Sequence, residues 1–274
     1  MKMKSEWRFI VSGPQSGAEN MAVDEAILTA SSEGMAPPTI RFYEWDPAAV
    51  SIGYFQRVQE ELDIEKIYKN KLGLVRRATG GRAILHQREL TYSVILSEQY
   101  PGMPTSVTDS YRVISRGLME GFRNLGLSAE MTAPLAGKLR TETAACFDTP
   151  SSYELVVEGR KVAGSAQTRQ RGIILQHGSI PLDLDVEMLF EVLRFASVEE
   201  KQKMKEAFLS KAVAIEQLSK RTVTMDEMIL AFQKGFAKGL DITLVPGALT
   251  AYEQELAKQL SYSRYNTDEW NLRR

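Results

Sequence analysis

The sequence predicts an α+β fold. Strand-type runs fill most of the first 180 or so residues, helical patterns take over from Asp185, and the two do not alternate as a doubly wound sheet requires. With 274 residues, 43% of them hydrophobic, the chain is long enough to bury a sizeable core, and no repeat or low-complexity tract divides it. One large domain over residues 1–248 with a helical tail over 249–274 is the expected organisation.

The elements follow in order. "EWRFIVSG" alternates Trp7, Phe9 and Val11 like a half-buried strand, and "AENMAVDEAILTAS" carries Met21, Ala22, Ala26 and Leu28 at helical spacing. "TIRFYEW" and "AVSIGY" read as strands parted by a turn at Asp46-Pro47. The charged run "QEELDIEKIYKNKLG" predicts a surface helix that ends at Gly73. Two strand runs follow, "LVRRATGGRAILH", interrupted by Gly80-Gly81, and "ELTYSVILS".

From Ser106 to Leu125, Val107, Tyr111, Ile114, Leu118, Phe122 and Leu125 recur at steps of three and four, the pattern of a helix that covers a sheet. Residues 132–152 have two prolines and weak periodicity, which predicts a long loop of the kind that carries function. "YELVVEGRKVAGSAQTRQRGIILQHGSI" reads as a β-meander with turns at Glu158-Gly159 and Gln170 to Gly172. In the helical part, Thr224 with Glu227 and Thr250 with Glu253 have capping-box spacing, and "ITLVPG" predicts one returning edge strand.

Composition narrows function. Thirty-four basic against thirty-five acidic residues leave a formal charge of -1, so there is no global signature for nucleic acid or an anionic membrane. No run reaches the roughly 18 apolar residues of a membrane helix, and the start lacks a signal-peptide centre, which predicts a cytoplasmic protein. One cysteine, Cys146, and two histidines, His86 and His177, give neither a disulfide framework nor a metal site.

Three places draw attention. In a strand that begins after Glu158-Gly159, Lys161, Ala163 and Ser165 share one face while Val162, Gly164 and Ala166 share the other. A consecutive Ala-Gly-Ser-Ala packs poorly, so something approaches this backbone closely: either a crossing segment beside a solvated lysine, or a ligand. In the second case a lysine at the mouth of an apolar slot stabilises charge on an acyl oxygen and, if burial lowers its pKa, relays a proton.

"RRATGGR", residues 76–82, is the second place, either a turn with exposed arginines or a glycine loop that lets backbone meet ligand; it has neither P-loop nor dinucleotide spacing. The third is Cys146, either a small buried hydrophobe or a thiolate that attacks thioesters, made more acidic by a nearby ammonium such as that of Lys161. A Cys-His hydrolase using His86 or His177 is disfavoured, because both histidines fall on strands where a hydrogen-bonded core histidine is the commoner outcome.

Together, "RRATGGRAILHQRELTYS", "CFDTPSSYELVVEGRKVAGSAQ" and "QHGSIPLDLD" resemble the biotin/lipoate protein ligase superfamily, and within it the octanoyltransferases of the LipM type; "ENMAVDEAIL", "RFYEWDPAAVSIGYFQ" and "YNTDEWN" are similar to the same group. The resemblance implies a catalytic domain with a mixed, largely antiparallel sheet flanked by helices. It implies octanoyl transfer from octanoyl-acyl carrier protein, whose phosphopantetheine carries the acyl group, to a lysine of a lipoyl domain such as the glycine cleavage H protein. It places the nucleophile at Cys146, the active-site lysine at Lys161, and substrate-binding residues at Arg76, Arg77, Thr79, Gly80, Gly81, Arg82, His86, Ala163, Gly164 and Ser165. Neither ATP nor a metal is required, and a monomer is expected.

Three alternatives stand beside this expectation. An ATP-dependent lipoate ligase shares the lysine and glycine motifs, but usually has Gly-Gly-Gly where this chain has Gly80-Gly81-Arg82, and the remainder after the catalytic part is short for the ligases' accessory domain. A lipoyl-domain amidotransferase also uses a cysteine, and a non-catalytic acyl-carrier-binding scaffold would need neither Cys146 nor Lys161. Because carrier proteins and lipoyl domains are generally acidic, Arg76, Arg77, Arg82, Arg160, Arg169 and Arg171 are candidate docking contacts.

Overall fold

In a computed structural model, residues 4–132 and 153–274 are described. The strands among them are β1 (Ser5–Gln15), β2 (Thr39–Trp45), β3 (Ala49–Ile52), β4 (Gly73–Arg76), β5 (Ile84–His86), β6 (Glu89–Ser97), β7 (Glu130–Thr132), β8 (Glu154–Val157), β9 (Arg160–Gln170), β10 (Ile173–Pro181) and β11 (Ile242–Pro246). The helices are α1 (Gly17–Ser32), α2 (Val58–Glu61), α3 (Ile64–Lys69), α4 (Val107–Asn124), α5 (Val186–Val192), α6 (Val198–Lys211), α7 (Ile215–Ser219), α8 (Met225–Gly239), α9 (Ala251–Leu260) and α10 (Asp268–Asn271), with a π-helical turn at Ser261–Tyr265.

Eight strands form one sheet in the order β11-β1-β2-β6-β10-β9-β8-β7, and β4-β3-β5 form a second, small one. In the large sheet β1 runs parallel to both β11 and β2, while every pairing from β2 onward to β7 is antiparallel. The expected mixed, largely antiparallel sheet is therefore present, and "ITLVPG" does lie at its edge.

Local chemistry explains the connections. Glu158, Gly159, Arg171 and Gly172 all have positive φ, as two-residue hairpin turns with left-handed central positions require. Ser106 caps α4, and both expected capping boxes form, Thr224 with Glu227 and Thr250 with Glu253. The single surface helix expected up to Gly73 is instead two short helices. Leu62 is buried in the second core and bridges to Leu193, Asp63 caps a fresh start at α3, and Gly73 already belongs to β4.

Layers on both faces cover the sheet. One face packs Phe42, Tyr92 and Val94 against Ile114, Leu118 and Phe122 of α4 and Phe232 and Phe236 of α8. These helices approach so closely that a Cβ on Gly235 would sit 2.3 Å from the backbone nitrogen of Gly121. The other face receives α1, with Val23 and Ile27 against Ile95 and Leu175, and α9 lies outside it through Ala257. The Arg8–Glu253 ion pair, 2.5 Å, with its carboxylate buried, ties α9 to β1.

Candidate active site

The α1 face of the sheet is not uniformly apolar. Asp24, on the same stripe of α1 as Met21 and Leu28, is buried and accepts hydrogen bonds from Arg41 (2.9 Å), Ser93 (2.8 Å) and Tyr43 (3.0 Å). His177 Nδ1 lies 3.5 Å from the same carboxylate, and its Nε2 is 2.6 Å from the Thr79 hydroxyl. Burial alone would raise the Asp24 pKa, but the Arg41 guanidinium and His177 bring it below the ordinary aspartate value. Burial lowers the His177 pKa, with Asp24 only partly opposing, so a neutral imidazole is favoured.

A second chain of the same kind stands beside it. His86 Nδ1 is 2.7 Å from Glu89, and Nε2 is 2.5 Å from Ser51 Oγ, which also accepts from Arg77 at 2.6 Å. Glu89 takes further bonds from the hydroxyls of Ser179 and Thr91, and Thr91 in turn accepts from the Trp45 indole at 2.8 Å. His86 stacks on Trp45 with ring centres 3.8 Å apart. The carboxylates orient the imidazoles and the imidazoles hold hydroxyls, so these side chains are fixed walls.

Between the walls lies a cleft of about 370 Å³, part of it open to solvent, lined by Met21, Tyr43, Trp45, Arg77, Gly81, Ile84, His86, Thr91, Gly164, Ser165, Ala166, His177, Gly178 and Ser179. Its cover is the 77–83 loop. Gly53 and Gly81 meet so tightly that a Cβ on Gly53 would fall 2.0 Å from the Gly81 carbonyl oxygen, and an added Cβ on Gly81 would lie 3.9 Å from Ala166. On β10, a Cβ at Gly178 would lie 2.4 Å from the Gly164 oxygen and 2.7 Å from Ser165 Oγ. The small residues of β9 thus leave a gap in the side-chain cover of the sheet, and the cleft occupies it.

The sequence-derived candidates separate into groups. Arg77, Gly81, His86, Gly164 and Ser165 line the cleft. Thr79 supports His177 from behind and Gly80 lies beside Phe55, whereas Ala163 belongs to the core under α4. Arg82 is half-buried and sits 3.4 Å from Glu61, outside the cleft. Lys161 is buried and its Nζ is 3.1 Å from Glu154, on the face of β9 that turns to α4, with the Tyr111 phenol close by. It shares that face with Ser165, which also reaches the cleft and accepts from Tyr92 at 2.8 Å. Cys146 lies outside the described residues.

Two docking expectations need correction. Arg76 and Arg77 are buried and present no surface to a partner. Arg76 donates to the carbonyls of Gly53, Tyr54, Gln56, Trp270 and Asn271, and Arg77 to those of Ser51, Gly80 and Arg82, so both fold the loop rather than meet a protein. Arg169 is largely tied down by Glu98 and the carbonyls of Pro104, Thr105 and Ser106, Arg160 pairs with Glu158, and Arg171 is exposed. Both histidines are, as expected, hydrogen-bonded core residues. Among the described residues no group of three or more His, Cys, Asp or Glu side chains is arranged to hold a metal, and no helix is long and apolar enough to cross a membrane.

Residues 16–237 match the family of the lipoyl protein ligase A/B catalytic domain, and the chain belongs to that family. An octanoyltransferase LipM of Brevibacillus brevis is 58% identical over 98% of this chain and 99% of its own length, and one of Geobacillus kaustophilus is 54% identical over 99% of each. This chain is accordingly an acyltransferase of the octanoyltransferase branch. Among solved structures, the bi-partite lipoate protein ligase of Thermoplasma acidophilum superposes with a TM-score of 0.81 at 28% identity, over 98% of this chain and 96% of that one. Since a ligase chain is itself covered to 96%, the short remainder noted in the sequence does not separate ligase from transferase; the names of the relatives do.

Proposed function

We propose that the protein takes the octanoyl group from octanoyl-acyl carrier protein onto Cys146 as a thioester and passes it to a lysine of a lipoyl domain, such as that of the glycine cleavage H protein. The observation that carries the reading is the narrow cleft where Gly164, Gly178 and Ala166 withhold side chains, in a chain 58% identical to an octanoyltransferase. Burying an octanoyl tail there yields about 0.8 kcal/mol per CH₂ before ordering costs. The fixed histidines and Trp45 give the tail a rigid, mostly apolar wall.

The chemistry runs in two halves. The Cys146 thiolate attacks the carbonyl of the donor thioester, and the pantetheine thiol leaves; the neutral amine of the acceptor lysine then attacks the acyl-enzyme, and Cys146 leaves as thiolate. The Lys161 ammonium stabilises the first oxyanion and gives its proton to the departing pantetheine sulfur; as a neutral amine in the second half it takes the proton released by the acceptor amine, which returns it to the ammonium form. Conversion of a thioester to an amide is downhill, so the reaction asks for neither ATP nor a metal. We place it in the cytoplasm, carried out by a monomer whose residues 249–274 act as a tail on the catalytic domain.

Acceptor octanoylation measured with octanoyl-acyl carrier protein, with and without ATP, tests this. Equal rates in both, lost in Cys146→Ser, are expected. A requirement for free octanoate and ATP would replace the transferase with a ligase, and a Cys146→Ser variant at full rate would remove the covalent intermediate.

A further inference from the structure

The cover of the cleft is surrounded by arginines, and several of them lack acidic partners among the described residues. Arg57 pairs with Glu60 and Arg82 with Glu61, but Arg76, Arg273 and Arg274 form no ion pair among the described residues. Arg273 is held between two aromatic rings, its guanidinium carbon 3.8 Å from the centre of Trp270 and 4.0 Å from that of Tyr54. Its Nε and one terminal nitrogen are buried and donate to nothing. Arg274 is exposed and lies 5.5 Å from the Phe55 ring centre.

The three cations feel one another. Arg76 is held down to about 10, first by burial and then by Arg273 and Arg274, with Glu61 opposing, so the neighbouring cations outweigh the one carboxylate. Cation–π contact orients Arg273 but does not neutralise it, and an unpaired buried guanidinium donor is costly. An anion bound beside the exposed Arg274 would offset this charge.

The cluster also stands at the right threshold. Tyr54 donates its backbone N–H to Thr79 at 2.8 Å, Gly53 abuts Gly81, and an added Cβ on Gly80 would lie 4.0 Å from Phe55. Phe55 is 69% exposed, a large apolar side chain between Arg274 and the glycine loop. Moving inward, a ligand meets positive charge, then an exposed aromatic ring, then the backbone of the cleft cover.

We infer that Arg273 and Arg274, with Phe55, form a binding site for the phosphate and adjoining pantoyl group of a phosphopantetheine arm, whose thioester end then enters the cleft beside Gly80-Gly81. The phosphate sits against the exposed charge of Arg274 with that of Arg273 behind it, and the methyl groups of the arm lie on Phe55. This inference rests on the reading that the donor is an acyl carrier protein, and it locates the arm on that donor's path.

The test is direct binding, which needs no turnover. Calorimetric titration of the full chain with 4′-phosphopantetheine and with pantetheine should show the phosphorylated ligand binding roughly 10-fold tighter, a preference that weakens with salt. Inorganic phosphate alone should bind more weakly than the arm, because it cannot use Phe55. Arg273→Gln with Arg274→Gln should erase the preference, as should Arg274→Glu, whose exposed position spares the aromatic stack, while Arg160→Gln should leave it intact. Equal affinity for the two ligands, detectable binding of neither, or a preference that survives Arg274→Glu overturns the site. If wild-type protein shows the preference yet transfers no octanoyl group, the proposed reaction fails and the anion site stands; if it transfers normally and shows no preference, the site alone fails.

Discussion

The two faces of the large sheet are built on opposite principles. Toward α4 and α8 the sheet presents Phe42, Tyr92 and Val94 to aromatic and aliphatic side chains, and glycines let the helices meet backbone to backbone. Toward α1 it presents Arg41, Ser93 and His177, gathered on the buried carboxylate of Asp24. The first face supplies stability by burying apolar surface. The second spends desolvation energy on groups that are stable only when every partner is present, and in return it fixes the imidazole and hydroxyl walls of a cleft.

That contrast can be broken from either side. Gly235→Leu forces a side chain into the Gly121 backbone, where a Cβ already lies 2.3 Å from nitrogen, and no rotamer relieves it. It should prevent cooperative folding altogether, seen as loss of the thermal transition by circular dichroism. Asp24→Ala leaves Arg41 buried without its carboxylate and should cost about 3–5 kcal/mol in denaturant unfolding. A cost near zero would mean that the polar face tolerates missing members, contrary to the account.

Smaller changes sharpen the same comparison. Tyr43→Phe removes one donor to Asp24 and should cost about 1–2 kcal/mol, with acceptor octanoylation reduced less than by Asp24→Ala. The pH dependence should reside on the polar face. Burial depresses the His177 pKa below its unfolded value of about 6.5, so in the interval beneath that value the unfolded chain holds a proton that the folded chain does not. Stability should therefore fall as pH is lowered from 7 through that interval, and the fall should level off once the folded imidazole also protonates. His177→Gln should flatten this slope, measured as Tm against pH, whereas Phe232→Ala should lower the whole curve without changing its slope.

How much of this was legible in the sequence follows from the same division. The apolar face writes itself in periodicity: the steps from Ile114 to Phe122 and the alternation of Trp7 and Phe9 mark α4 and β1, and the hairpins were given by Glu158-Gly159 and by the glycine at 172. The small residues of β9 pointed to a close approach, which proves to be the cleft and the Gly178 strand. The polar face was not read, because its members are spread over α1, β2, β6 and β10 and only tertiary structure joins them. One signal was present, a single aspartate at position 24 on the stripe of Met21 and Leu28, where an apolar residue would be ordinary. Nor did sequence single out the arginines that fold a loop, since the burial of Arg76 depends on Trp270 and Asn271, almost two hundred positions away.

The most direct measurement is the intact mass of the protein after mixing with octanoyl-acyl carrier protein and no acceptor. The account predicts the added mass of one octanoyl group, removed by hydroxylamine, mapped to Cys146 and absent in Cys146→Ser, with slower formation in Lys161→Ala. Full turnover by wild-type protein with no such adduct, or an adduct that persists in Cys146→Ser, would contradict it.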